Sequence, residues 1–391
     1  MKTLIELYDE RPLENVLSTE IFRPERTVYI CASDISEREK KALKDYFAHR
    51  GVDFNPEYVK ADKYSSKDVY NCLRSVADRY PDCALDVSGG TDNALFAAGQ
   101  LSAERDMPVF TYSRRQNRFY SINKAPFADK LDCPLSYAVE DFFLMTGGSM
   151  RQGRVDNSVL DSYLDFIDGF FALYLRHRRD WGSIVNYMQR VSQLPKGAPV
   201  ELEVRGDYIV KGDHGRRIEA NDRALMELEQ LGFIKNLRVS RGEGVSFGFR
   251  DAQVRTWLRD VGSVLELYVY KLCLDTGVFN DVRTSAVVDW EASVHRDSVT
   301  NEIDVMAVRG VTPMFISCKT CEVNTEALNE LAILRDRFGG QGAKAAIVTT
   351  KTSAAVTRNR ATELGIEVID LNDLKKGSAG RRISALARRV D

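Results

Sequence analysis

Histidine is scarce in this chain: four residues in 391 (His49, His177, His214 and His295), all far apart in sequence. That excludes a histidine-rich metal centre. It also leaves the single CxxC pair, Cys318 with Cys321, short of the four ligands a structural zinc site needs. The seven cysteines are odd in number and scattered, in a chain too long to need staples. They read as reduced thiols of a cytoplasmic protein. Long apolar runs are missing as well: stretches such as GFFALYL are far too short to span a bilayer. Glu6, Asp9 and Glu10 come too early for the apolar core of a signal peptide. The expectation is a cytoplasmic protein without a membrane. Charge of one sign is lacking too, since 55 Lys and Arg against 57 Asp and Glu leave a net −2. Any surface for nucleic acid must therefore be local.

What is present is an ordinary globular composition, 44% hydrophobic and 29% charged, long enough for two or three domains. Residues 27 to about 113 alternate between strand and helix: TVYICA, ISEREKKALKDYFAHR, VDFNPEYV, SKDVYNCLRSVADRY, CALDVSGG, TDNALFAAGQLSAERD, MPVFTYS. That alternation predicts a mostly parallel, doubly wound α/β sheet. From about 150 to 255 the texture changes. Two helical runs precede hairpins expected at Gly206-Asp207 and Gly212 to Gly215, and the helix NDRALMELEQLGF leads into a hairpin turning at Gly242 to Gly244. Helix followed by a two-stranded wing fits a winged-helix pattern, and a generic α+β connector fits the composition equally. The remainder reads helix, two or three strands, helix, strand, helix, strand. The expected domains are 1–150, 151–255 and 256–391, with no internal repeat.

The richest stretch chemically is NEIDVMAVRGVTPMFISCKT, residues 301–320, two strands joined by a short turn. Strand alternation places Glu302 and Asp304 on one face of the first strand and Ser317 and Lys319 on one face of the second. Ile303, Val305, Ile316 and Cys318 then face the core. Two carboxylates and an ammonium in one patch suit Mg²⁺ or Mn²⁺ held by oxygen ligands. The same pattern also describes a charged outer face of a solvated sheet. Glu266, in VGSVLELYVYKLC, lies off the apolar stripe of its helix, where a further metal ligand could stand.

A second constellation is LDVSGGTDNALFAAG. Gly89 and Gly90 fall between a strand and a helix that starts near Thr91 and Asp92. Free N–H groups in the first turn of such a helix, approached through glycines, suit a phosphate. As plain structure, Thr91 or Asp92 is an N-cap. The loop has neither G-x-G-x-x-G nor a Walker lysine, which argues against NAD binding and ATP hydrolysis. Arg114, Arg115 and Arg118 follow the next strand. The C-terminal LKKGSAGRRISALARRVD carries six basic residues against one acidic residue, a tail able to track a phosphate backbone.

The helix-strand-strand-helix-strand order of about 256 to 370 resembles the PD-(D/E)xK restriction-endonuclease-like core. NEIDV…FISCKT with FGGQGAKAAIVTT resembles, more narrowly, the nuclease half of the CRISPR-associated CARF-nuclease effectors. The resemblance makes Asp304 the metal carboxylate, Lys319 the catalytic lysine and Glu266 a further ligand. Ser317 departs from the superfamily pattern, which places Glu or Asp two residues before the lysine. Compensation by Glu302, on the same strand face, or by Glu266 is expected. Residues 1 to 145 resemble a CARF domain, whose SGGT loop binds cyclic oligoadenylates at the two-fold axis of a dimer. By position, Ser88, Gly89, Gly90, Thr91 and Asp92 form that loop, Ser33 and Asp34 a second one, and Arg114 and Arg115 are phosphate partners. The resemblance thus implies an α/β homodimer built of a Rossmann-like CARF domain, a winged-helix-like connector and a restriction-endonuclease-like domain. It implies a type III CRISPR accessory effector, activated by cyclic tetra-adenylate and cutting DNA, RNA or both. A ligand-controlled nucleic-acid-binding regulator with a degraded nuclease domain is the alternative. A type II-like restriction enzyme explains only the C-terminal half.

Overall fold

The structure is a computed structural model that describes residues 1–31, 35–195, 197–212, 215–290, 300–340 and 342–389. Ser33 and Asp34 therefore lie outside the described residues. The N-terminal part is built from β1 (Thr3–Leu7), α1 (Leu17–Phe22), β2 (Arg26–Cys31), α2 (Glu37–His49), β3 (Pro56–Lys60), α3 (Ser66–Arg79), β4 (Cys83–Asp86), α4 (Asp92–Glu104), β5 (Val109–Ser113), β6 (Arg118–Asn123), β7 (Leu131–Asp132) and α5 (Val139–Met145). The sheet order is β3-β2-β1-β4-β5-β6-β7. Strands β3 to β5 in that order pair in parallel, and β6 and β7 close the edge antiparallel. Helices α2, α3 and α4 start at side-chain caps, Ser36, Ser65 and Thr91, each accepting a backbone N–H two or three residues into the helix. Alternation from residue 27 onward is found as expected, but β1 was not foreseen. It sits at the centre of the sheet with all five residues buried. Burial, then the charge of Asp86, raises the pKa of its Glu6 well above the usual range, while the Thr19 hydroxyl, donating to Oε1 at 2.9 Å, opposes the rise.

The chain leaves this sheet through β8 (Ser149–Gln152) and continues into α6 (Leu164–His177), α7 (Trp181–Val191), β9 (Glu203–Gly206), β10 (Ile209–Lys211), β11 (Arg217–Glu219), α8 (Asp222–Gln230), β12 (Ile234–Ser240), β13 (Gly244–Phe249) and α9 (Ala252–Trp257). The wing is present: α8 runs into the β12–β13 hairpin, and β9 adds to it as a third strand. The turn at Gly206-Asp207 is not a hairpin. β9 pairs with β13 while β10 pairs with β11, so this turn carries the chain from one small sheet to another. A glycine turn between two short strands does not by itself say which strands pair.

The C-terminal part comprises α10 (Ser263–Asp275), β14 (Asp281–Asp289), β15 (Thr300–Arg309), β16 (Thr312–Lys319), α11 (Thr325–Phe338), β17 (Lys344–Thr349), α12 (Ala355–Glu363), β18 (Ile366–Ile369), α13 (Leu371–Lys375) and α14 (Ala379–Arg388). Its sheet order is β18-β17-β16-β15-β14-β8. The strand Ser149–Gln152 is thus an edge of the C-terminal sheet, antiparallel to β14. Both faces of this sheet are covered. One packs Val305, Ile316 and Val348 against Val269 of α10 and Phe170 and Trp181 of α6 and α7. The other packs Val288, Phe315 and Ile347 in one continuous core with Tyr29 and Phe110 of the N-terminal sheet.

Candidate functional site

Strands β15 and β16 pair from Arg309 opposite Thr312 to Val305 opposite Ile316. The ladder stops there because a side chain takes over. The Asp304 carboxylate Oδ2 accepts the Cys318 backbone N–H at 2.6 Å and the Ser317 hydroxyl at 3.1 Å. On the other flank, the β14–β15 ladder passes from Thr284 opposite Val305 to Ala286 opposite Ile303. The residue skipped, Ser285, has φ +52°. Strict alternation therefore fails at Asp304. Val305 lies in the core with Ile316 and Cys318, whereas Ile303 joins Met306 and Val308 on the opposite side. The expectation that Ile303 and Val305 share a face is corrected by this break in the ladder.

Glu266 comes from α10. It was expected off the apolar stripe, yet it is 4% exposed, because α6 and α14 pack on this helix as well as the sheet. Its Oε2 is buried without a hydrogen-bond partner among the described residues. Burial, then the charge of nearby Asp304, push its pKa up to about 8, and Arg154 pulls the other way. Asp304 is also raised, chiefly by burial; the Cys318 N–H and the Lys319 charge oppose the rise. Glu302 stands differently. It is exposed, and its Oε1 accepts from the Ser285 hydroxyl at 2.6 Å and from Arg154 Nε at 3.3 Å.

Three residues of this cluster were not foreseen: Arg154, Asp260 and Ser285. Arg154 follows β8, and its guanidinium spans the acids. It bonds to Asp260 and Glu302 and lies 3.6 Å from Glu266 Oε1. Asp260 in turn accepts the N–H groups of Gly262 and Ser263 at 3.0 and 2.8 Å, anchoring the start of α10. Gly153 allows the approach: a Cβ there would stand 2.5 Å from the Ser285 carbonyl oxygen, so only glycine lets the chain cross β14 at this point. Among the described residues no group of three His, Cys, Asp or Glu is arranged to hold a metal ion. The cluster offers two desolvated carboxylates, Asp304 and Glu266, and the charge of Asp304 opposes ionisation of Glu266.

The glycine loop lies where the strand order turns, between β1 and β4, at the carboxyl ends of the parallel strands. Open α/β sheets bind ligands at such a point. Gly90 has φ +98°, and its N–H donates to Asp9 Oδ2 at 2.8 Å. Asp9 is gripped by Arg11, whose Nε and Nη2 reach its two oxygens at 2.8 and 2.7 Å. Burial alone would raise the Asp9 pKa, but Arg11 and the Gly90 N–H hold it below its usual value. The Ser88 hydroxyl is shared between Asp86 and the Tyr112 N–H. Thr91 caps α4, and Thr91 and Asp92 are exposed. Arg114 donates to Glu14 at 2.6 Å, while Arg115 is exposed. Ser88, Arg114 and Arg115 also line a cavity of about 840 Å³ that reaches Arg309 at the β15–β16 turn and Arg388 of α14.

The basic C-terminal run is partly structural. Ile383 and Leu386 of α14 are in the core, and Arg382 pairs with Glu367 and Asp373. Arg388 stands by the β15–β16 turn, whereas Lys319 ends β16 at its far end. Cys318 is buried and Cys321 exposed, and among the described residues neither belongs to a group of three His, Cys, Asp or Glu that could hold a metal ion. No helix among the described residues is long and apolar enough to cross a membrane.

The acid cluster lies in the part of the chain that known proteins share. Residues 253–379 match the family described as Card1-like, endonuclease domain. The whole fold is similar to two solved structures. Protein VC1899 from Vibrio cholerae aligns with a TM-score of 0.75 at 16% identity, over 100% of this chain and 99% of its own. Can2 from Sulfobacillus thermosulfidooxidans, solved in complex with cyclic tetra-adenylate, aligns with a TM-score of 0.71 at 15% identity, over 98% and 99%. No curated protein matches the chain. At these identities the two solved structures share its mixed α/β fold.

Proposed function

We propose that this chain is a metal-dependent endonuclease switched by cyclic tetra-adenylate, a cytoplasmic homodimer serving type III CRISPR defence by cutting DNA, RNA or both. The observation that carries the reading is the Asp304, Ser317 and Lys319 cluster where β15 and β16 part, inside the segment matching an endonuclease domain. Residues 1–150 are the sensor, 151–255 the connector and 256–391 the nuclease, with β8, at the first boundary, lent to the nuclease sheet.

Asp304 and Glu266 are the residues that would hold Mg²⁺ or Mn²⁺. The fit rests on the buried Glu266 Oε2, without a hydrogen-bond partner among the described residues, and on the charge of Asp304 opposing its ionisation. Mg²⁺ is commonly bound by one or two carboxylates, with waters and substrate phosphate completing its shell, so a third acid is not required. When bound, the ion polarises the phosphate and lowers the pKa of a water. The chain's own groups do the rest. Ser317 and the Cys318 N–H both bond to Asp304 Oδ2, which fixes the carboxylate and leaves Oδ1 for a cation. The Lys319 ammonium offsets charge building on the phosphate. Glu302 supports the site through Arg154 and takes the place of the absent acid at Ser317 by charge rather than by position.

The glycine loop is the sensor's ligand site, supported by its place at the switch point and by the complex of Can2 with cyclic tetra-adenylate. A phosphate entering there would compete with Asp9 for the Gly90 N–H. Beside the loop, Tyr64 and Phe96 are 81% and 68% exposed. Asn93, which donates to the Lys63 carbonyl at 2.9 Å, ties their two segments together. A second copy covering this patch would set two loops around one symmetric ring.

The test is incubation with labelled single- and double-stranded DNA and RNA, with Mn²⁺ and a panel of cyclic oligoadenylates. Cleavage should need both metal and ligand. Binding without cleavage under every condition would instead support the regulator with a degraded nuclease domain.

A further inference from the structure

The connector contributes more than spacing. An open groove of about 590 Å³ starts at Arg154 and Asp260, on the rim of the acid cluster, and runs between the end of α7 and the end of α9. Arg190 and Gln193 stand on one wall, and Thr256 and Arg259 on the other. Arg259 is the unusual group. Its Nε is buried without a hydrogen-bond partner among the described residues, as is that of neighbouring Arg255. The other visible bond of Arg255 goes to a neutral acceptor, the Ser192 carbonyl, at 2.8 Å. The nearest acid in sequence gives no relief: Asp260 spends Oδ1 on Arg154 and Oδ2 on Gly262 and Ser263.

A buried and a half-buried guanidinium, each with a buried Nε left unbonded among the described residues, leave positive charge poorly compensated, and an anion at the groove would complete it. Burial, and secondarily the charge of Arg255, hold the Arg259 pKa below its usual value. We propose that this groove takes the phosphodiester backbone of the substrate strand next to the scissile bond, with Arg259 and Arg190 each meeting a phosphate. The inference rests on the nuclease reading, because the groove leads out of that site. Guanidinium forks suit phosphate oxygens, and backbone contacts position a strand without reading its sequence. The winged connector thereby becomes the substrate-binding element, and Arg154 the residue at which strand and acid cluster meet.

The experiment uses the full chain with EDTA present, so that binding is read without cleavage. Fluorescence anisotropy of labelled single- and double-stranded DNA and RNA is followed over a salt series for wild type, Arg259→Gln and Arg190→Glu. Each lost phosphate contact should lower the slope of log K against log salt by about 0.7 to 0.9. With Mn²⁺ and activator, KM should rise more than kcat falls. Cyclic tetra-adenylate is also a phosphodiester, so its affinity is measured alongside and should not change. Thermal melting checks Arg259→Gln, and Arg190→Glu, at a half-exposed position, decides the matter if that variant does not fold. Unchanged salt slopes, or an equal loss of cyclic tetra-adenylate binding, overturn the proposal. Failure of the wild type to cleave anything would count against the nuclease reading and leave the anisotropy result to judge the groove.

Discussion

The Asp304 carboxylate accepts the Cys318 N–H at 2.6 Å across the point where β15 and β16 separate. A side chain thus does what a strand carbonyl does elsewhere in the ladder, and the same oxygen also takes the Ser317 hydroxyl. An amide can keep the backbone contact while losing the charge. Asp304→Asn should therefore stay folded, and melt no lower, because burial already disfavours the ionised form. Cleavage by Asp304→Asn and by Lys319→Ala should fall by about 10²-fold or more, the usual scale for removing a preorganised charge. Cyclic tetra-adenylate binding should be intact in both. Wild-type cleavage rates in either variant would remove these residues from the site.

The acids around Asp304 should rank by position. Ser317 contributes one hydroxyl bond at 3.1 Å, so Ser317→Ala should cost about tenfold or less. Glu302→Gln should cost more than Ser317→Ala, since it weakens the hold on Arg154. Glu266→Gln should cost most, because Glu266, beside Asp304, has a buried oxygen with no partner among the described residues. Single-turnover rates at saturating Mn²⁺ give the order. Should Ser317→Ala prove the most damaging, the hydroxyl itself, and not a neighbouring carboxylate, supports the metal.

Legibility in the sequence followed distance along the chain. Asp304, Ser317 and Lys319 sit on strands joined by a short turn, where period-two alternation places side chains without any knowledge of tertiary packing. The alternation misled only at Ile303, since nothing local announces that Ser285 will adopt a left-handed conformation opposite Asp304. Arg154 had no such signal: it is 106 residues from Asp260 and 148 from Glu302. Central β1 escaped notice because Glu6 breaks its apolar run, and its burial depends on Thr19 of α1. The wing was readable from its glycine turn, whereas the pairing around Gly206-Asp207 was set by a strand almost forty residues away.

Protonation of Glu266 gives a test that does not depend on cleavage. Its pKa moves from an ordinary 4.5 to about 8, with burial as the main cause. The folded state then holds the proton more tightly than the unfolded chain. Stability of the metal-free protein should decline as pH rises from about 4.5 to about 8, and Glu266→Gln should flatten that decline. Mn²⁺ needs the ionised form, so the rise in Tm it produces should grow across the same window. Arg154 lowers the Glu266 pKa, so Arg154→Ala should shift the midpoint of that growth to higher pH. A Mn²⁺-induced rise in Tm independent of pH would show that Glu266 does not take part.

Gating is best tested away from Gly90. That residue has φ +98°, and a Cβ there would lie 2.7 Å from Leu7 Cβ. Gly90→Arg would strain the loop and press on the central strand, so loss of response in that variant could report misfolding instead of a blocked ligand. Arg115 is exposed, and it shares a cavity with Ser88 and Arg309. Reversing its charge leaves no buried group unpaired, and melting should be unaffected. If the cavity receives phosphates of the cyclic activator, Arg115→Glu replaces an attraction with a repulsion. One charge-assisted contact of about 1.5 to 3 kcal/mol corresponds to a shift of at least tenfold in the activator concentration giving half-maximal cleavage. Ligand and nuclease are linked only through differential affinity for two states, so maximal cleavage at saturating activator should be retained. Titration of cyclic tetra-adenylate against cleavage rate for wild type and Arg115→Glu reads this directly. A folded variant that responds at the wild-type midpoint would place the activator elsewhere on the sensor.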